Sequence, residues 1–104
     1  MSSVTAPQVL CKQPWEKRRF QMWFTDLLDT NETISNIVDI SAERVGGGDA
    51  DIVFTDPLVG STGKYVQVWI TEGTHKFRYR IEMRVETTGQ QQLEGDGILK
   101  VTDS

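Results

Sequence analysis

The segment His75 to Val85, HKFRYRIEMRV, alternates with a period of two. Phe77, Tyr79, Ile81, Met83 and Val85 occupy one set of positions, and Lys76, Arg78, Arg80, Glu82 and Arg84 occupy the other. Successive side chains of an extended chain point to opposite faces, so the pattern demands a long strand with one apolar and one wet face. Such a strand is not stable alone; its apolar row needs a second layer over it. The wet row also gathers Lys76, Arg78, Arg80 and Arg84 out of 11 basic residues in the chain. It is either a solvated face whose charges pair across strands or a docking face for an acidic protein surface. A nucleic-acid platform would need aromatic rings beside the cations, whereas Phe77 and Tyr79 fall on the opposite side.

The same period recurs along the chain. In Arg18 to Phe24, Phe20, Met22 and Phe24 alternate with Arg19, Gln21 and Trp23. Ile34 to Ile40 puts Ile34, Val38 and Ile40 on one side, and Ile37 breaks the register, as a bulge or a strand covered on both faces would. Asp51 to Thr55 reads as a short strand after the loop Gly46-Gly47-Gly48. Lys64 to Thr71 sets Val66, Val68 and Ile70 against Tyr65, Gln67 and Trp69. From Gln91 to Val101, Leu93, Leu99 and Val101 align with Gly95 and Gly97 between them, which signals a bulge or a close backbone approach. Asp56-Pro57, Gly60 to Gly63, Glu72-Gly73-Thr74 and Thr88-Gly89 are turns. No long window carries a helical period. The expectation is an all-β antiparallel sandwich of about six or seven strands, with one core in 104 residues. Residues 12–104 form the domain, and residues 1–11, small and polar, form a flexible N-terminal arm.

Composition narrows the function classes. A net charge of −4 argues against general affinity for nucleic acid. The single cysteine, Cys11, leaves no internal disulfide and no cysteine-based metal cluster, and reads as a small apolar side chain near the first strand. The first ten residues lack the basic start and apolar run of a secretion signal, and no stretch approaches the length of a membrane span. The expectation is a protein that crosses no membrane on its own. His75 is the only histidine and no motif ties a nucleophile to it, so no catalytic residue and no cofactor are expected. Carboxylates cluster at Asp26, Asp29 and Glu32 and at Asp49 and Asp51. The run from Asp29 lacks the calcium-loop glycine at its sixth position and has Ile40 at the twelfth, so these read as solvated turns and no metal site is expected. Trp23 and Trp69 fall opposite the inward rows and, with Trp15, are candidate exposed anchors. Together with Arg78, Arg80 and Arg84 they make up the expected protein interface.

The order of these elements resembles a known family. The run Lys12-Gln13-Pro14-Trp15-Glu16, an aromatic strand, and Phe24-Thr25-Asp26-Leu27-Leu28-Asp29-Thr30-Asn31-Glu32-Thr33-Ile34 resemble the opening of small tailed-phage proteins described as fibre-to-tail adaptors. Those chains typically begin with Lys-x-Pro and end their aromatic strand in Trp-Ser/Thr-Asp-x-Leu; here Phe24 stands in place of that Trp. Val66-Gln67-Val68-Trp69-Ile70-Thr71-Glu72-Gly73-Thr74 is similar to their Val-x-Val-Trp-Leu-x-Gly-Gly-Thr, with Glu72 replacing the first glycine. His75 to Thr88, the turn at Gly89 with Gln90 replacing an arginine, and Leu99 to Asp103 complete the likeness over most of residues 12–103. The resemblance implies an immunoglobulin-like sandwich and a structural role in the virion, in several copies, after synthesis in the host cytoplasm. It implies contacts with other phage proteins of the tail, fibre, neck or capsid, and no catalytic residues. Two readings stand beside it: a capsid decoration protein of the same fold, and a carbohydrate- or surface-binding module that stacks ligands on Trp15, Trp23 or Trp69.

Overall fold

The computed structural model describes residues 8–103. Seven strands run in chain order: β1 (Gln8–Lys12), β2 (Arg18–Trp23), β3 (Ile34–Arg44), β4 (Ile52–Val59), β5 (Tyr65–Glu72), β6 (Arg78–Thr87) and β7 (Gln92–Val101). They form two sheets, one ordered β1-β7-β6-β3 and the other β2-β5-β4. The ladders are antiparallel except β1, which runs parallel to β7. Seven strands that divide four and three, with the first joined to the sheet of the last, make an immunoglobulin-like sandwich. A further mark of that fold is Tyr79 near the start of β6. Its hydroxyl accepts the backbone N–H of Thr74 at 3.0 Å, five residues upstream, and donates to Asp51.

The core lies between the sheets. Phe20, Met22 and Phe24 from β2 and its end, and Val66, Val68 and Ile70 from β5, meet Tyr79, Ile81, Met83 and Val85 of β6 and Leu99 and Val101 of β7. The alternating row of β6 is thus the inner face expected from the sequence. Gly95 and Gly97 mark a close approach and not a bulge, because β6 and β7 pair without a register shift. A Cβ on Gly95 would sit 2.7 Å from Met22 Sδ, and one on Gly97 2.7 Å from Phe20 Cζ. The large side chains of β2 rest in the gap that two absent side chains leave in β7.

Four elements differ from the sequence reading. Gln8 to Cys11, expected in the arm, belong to β1; the arm residues 1–7 lie outside the described residues. The strand hides from pattern reading because Lys12, at an inward position, is buried, while Val9 and Cys11 are exposed. Cys11 is therefore a surface side chain. In β3, register shifts between Ile34 and Asn36 and between Ile37 and Asp39 turn Ile37 and Ile40 to the core and leave Val38 outside. Asp56-Pro57 is a bulge within β4, where Asp56 has φ 53. An edge strand tolerates Pro57, which has no N–H to donate. Finally, β6 begins at Arg78, since Lys76 with φ 75 is still in the turn.

Each end of the sandwich is closed by a buried charged side chain. At the end where β5 finishes, the Lys12 ammonium donates to the carbonyls of Gln13 (2.8 Å), Pro14 (3.2 Å) and Glu72 (2.5 Å). Burial lowers its pKa, against the opposing pull of Glu16, Glu72 and Asp51. At the end where β5 begins, Glu32 is only 5% exposed, so it is not the solvated turn residue expected. Its carboxylate accepts from Thr87 Oγ1, from Asp29 N at 2.8 Å and from Gln91 Nε2 at 2.8 Å. Thr87 first and the Asp29 N–H next hold the Glu32 pKa below the ordinary carboxylate value.

Two outcomes follow from this packing. Gly97→Val overfills the gap above Phe20 and lowers stability by about 1–3 kcal/mol in urea denaturation. A carboxylate whose folded pKa is depressed binds fewer protons than in the unfolded chain. Its contribution is therefore present above about pH 4.3 and is lost as pH falls through the folded value. The urea midpoint drops on acidification through that window, and Glu32→Gln makes the drop shallower.

Candidate interaction face

The two outer faces of the sandwich have opposite chemistry. On the sheet containing β6, the pairing brings Arg78, Arg80, Arg84 and Lys100 among Asp39, Glu43, Glu82, Glu86, Glu94 and Asp96, a net charge of −2. Arg84 Nε lies 2.8 Å from Glu94 Oε1, and Arg80 is paired with Glu82. Hydrogen bonds to Glu82 and Glu94, in turn, raise the pKa values of Arg80 and Arg84. The basic row is thus flanked by acids on β3 and β7. It forms the middle column of a mixed-charge face in which Arg80 pairs within β6 and Arg84 pairs across to β7.

On the sheet containing β5, the outward positions are Arg19, Gln21 and Trp23 of β2, Tyr65, Gln67, Trp69 and Thr71 of β5, and Val53, Thr55 and Leu58 of β4. None of these paired positions is a carboxylate. Trp23 and Tyr65 are cross-strand partners with ring centroids 4.3 Å apart at 31°. Gln21 Nε2 donates to Gln67 Oε1 at 3.2 Å, and the Lys17 ammonium sits 5.6 Å over the Trp69 ring. Trp23, Val53 and Leu58 are all exposed, although a sandwich normally turns large apolar side chains inward. The result is an aromatic and amide-bearing surface with Lys17 and Arg19 beside it, and Asp56 in the unpaired bulge of β4 at its edge.

The residues that sequence reasoning selected are therefore divided. Trp23 and Trp69 share the outer face of the β5 sheet, while Arg78, Arg80 and Arg84 lie on the outer face of the other sheet. Trp15 belongs to neither strand row; it stands in the turn before β2, with Lys17 two residues on. Sequence reasoning missed Tyr65, Lys17 and the Gln21–Gln67 pair. The alternation Tyr65-Gln67-Trp69 already set them on one side, but the cross-strand register that joins them to β2 is not visible in a single strand.

A family model described as Podophage GP4 fiber-tail adaptor protein gp77 matches residues 12–100. The chain belongs to this family. No curated protein and no solved structure matches it. Membership carries a structural role as a fibre-to-tail adaptor, a place in the virion and contacts with other phage structural proteins. The adaptor's motifs also acquire physical reasons. The lysine of the Lys-x-Pro element is Lys12, which ties the first turn to the turn after β5 through Glu72 O. Glu72, standing where the family usually has glycine, has φ 69, a left-handed backbone that glycine adopts without strain. The following Gly73 has no room for a side chain, because a Cβ would lie 2.9 Å from Val101 Cγ2.

The pairing of Arg80 and Arg84 has a direct consequence. Charge reversal at Arg80 and Arg84 leaves incorporation of the adaptor into phage particles at the parent level, measured by the amount of chain in purified virions.

Proposed function

We propose that this adaptor is a non-enzymatic connector, made in the host cytoplasm and present in several copies per particle. Its contact face is the outer surface of the β5 sheet. The observation that carries this reading is the contrast between the two outer faces: one pairs Arg80 and Arg84 with its own acids, and the other exposes Trp23, Val53 and Leu58 around the half-buried Tyr65 and Trp69, with no carboxylate at any paired position. Aromatic, carboxylate-poor surface is the composition of a protein interface core. Lys17 and Arg19 suit a partner that presents acidic side chains beside an apolar centre. Support for several copies comes from the cleft between edge strands β3 and β4, where Val38 and Leu58 are exposed beside Phe54 and Ile40. Unpaired strand edges of this kind readily take a neighbour.

Gln67→Glu tests the face. The new carboxylate still accepts the hydrogen bond from Gln21 and keeps the fold, but puts a negative charge at the centre of the surface. Incorporation into particles assembled without the parent chain falls at least about tenfold, at an unchanged urea midpoint. Parent-level incorporation would remove the face from the contact.

A further inference from the structure

The turn between β1 and β2, Gln13 to Lys17, holds one tryptophan almost wholly in solvent. Trp15 is 95% exposed. A side chain of that size normally hides most of its surface, and loops that leave one out usually let it move. Here the backbone beneath it is fixed from several sides. The Lys12 ammonium grips the carbonyls of Gln13 and Pro14, immediately before Trp15. Pro14 has its φ set by the ring. The Glu16 N–H donates to Gln13 O at 3.1 Å, and the Gln13 N–H donates back to Glu16 Oε1 at 2.7 Å. Lys12 is itself held on Glu72 O across the sandwich.

We infer that Trp15 is a preorganised anchor, which inserts into an apolar pocket rimmed by carboxylates on the virion protein that the adaptor meets. Tryptophans dominate the energetics of protein interfaces when they fill such pockets. A rigid turn reduces the ordering cost that a mobile one would incur on binding. The charge around Trp15 selects the rim. Lys17 and Arg18 follow within three residues and Arg19 within four; of the acids near Lys12, Glu16 is engaged by Gln13 N and lies 3.7 Å from Arg18, and Asp51 accepts from Thr74 and Tyr79, which leaves Glu72. The charge that adjoins the indole along the chain is therefore mainly basic, and a pocket with acidic side chains at its mouth complements it.

This inference rests on the adaptor reading above and deepens it. The test uses phage particles assembled without this chain, titrated with purified full-length protein, and reads the concentration that half-saturates incorporation. Trp15→Ala raises that concentration at least about thirtyfold, the effect of losing an interface hot spot. Its urea midpoint stays at the parent value, because the side chain supports nothing within the fold. Arg18→Glu also raises it, and added salt weakens the parent more than the variant. Half-saturation by Trp15→Ala at the parent concentration would overturn the anchor; if Gln67→Glu still fails to incorporate, the β5-sheet face stands without it. Parent-like behaviour of both variants would overturn both readings. Parent-like Arg18→Glu would overturn the acidic rim.

Discussion

Three carbonyl oxygens converge on the Lys12 ammonium, and the arrangement of one whole end of the molecule depends on that meeting. An ammonium has three N–H donors and no acceptor, so Gln13, Pro14 and Glu72 satisfy it completely without water. Taking a lysine to 2% exposure carries a large desolvation cost, which good hydrogen-bond geometry offsets. What the arrangement secures is connectivity. Gln13 and Pro14 lie in the turn from β1 to β2, and Glu72 lies where the chain crosses from β5 to β6, so one side chain locks two crossings between the sheets. The Thr102 N–H donates to the Lys12 carbonyl at 3.0 Å and draws the end of β7 into the same knot.

The opposite end repeats the solution with the sign reversed. Glu32 is a carboxylate accepting from Thr87, Gln91 and Asp29, and its backbone carbonyl takes the Lys64 ammonium at 2.6 Å. Between the two ends the sheets interlock through volume alone, with Phe20 and Met22 lying over Gly97 and Gly95. The fold thus uses nondirectional packing in the middle and directional hydrogen bonds at the ends. Apolar contact tolerates sliding along the strands, whereas an ion with fixed partners sets the register of each loop against its neighbour.

This division explains what the sequence revealed. Strands whose inner residues are apolar, β2, β5 and β6, were legible from alternation, because burial alone writes that pattern. Strand β1 was not, since its inward Lys12 and exposed Val9 and Cys11 invert the expected code. Nor was the burial of Glu32, because Asp29, Thr30, Asn31 and Glu32 look like any polar turn until Thr87 and Gln91 are brought to them from the other end of the chain. Of the candidate site, Trp15, Trp23 and Trp69 were visible as unplaced aromatics. The fate of Arg84 was not, because its partner Glu94 is brought to it by the register of β7, whereas the partner of Arg80, Glu82, lies two residues on in the same strand.

The family signature belongs to the same physics. Each short motif is ordinary alone: a lysine before a proline, an acidic turn, a glycine turn. Each supplies the group that another motif needs, however. Lys12 needs the Glu72 carbonyl, and Glu32 needs Thr87, just before the turn at Gly89, where a Cβ would come within 2.5 Å of the Glu32 carboxylate. Loss of the Lys12 side chain leaves the Glu72 carbonyl without that donor, loss of the Thr87 hydroxyl takes a donor from the Glu32 carboxylate, and a side chain at Gly89 clashes with it. That mutual dependence makes the order of motifs more informative than any one of them. The outer face of the β5 sheet takes part in none of these locks, so its side chains can vary without disturbing them.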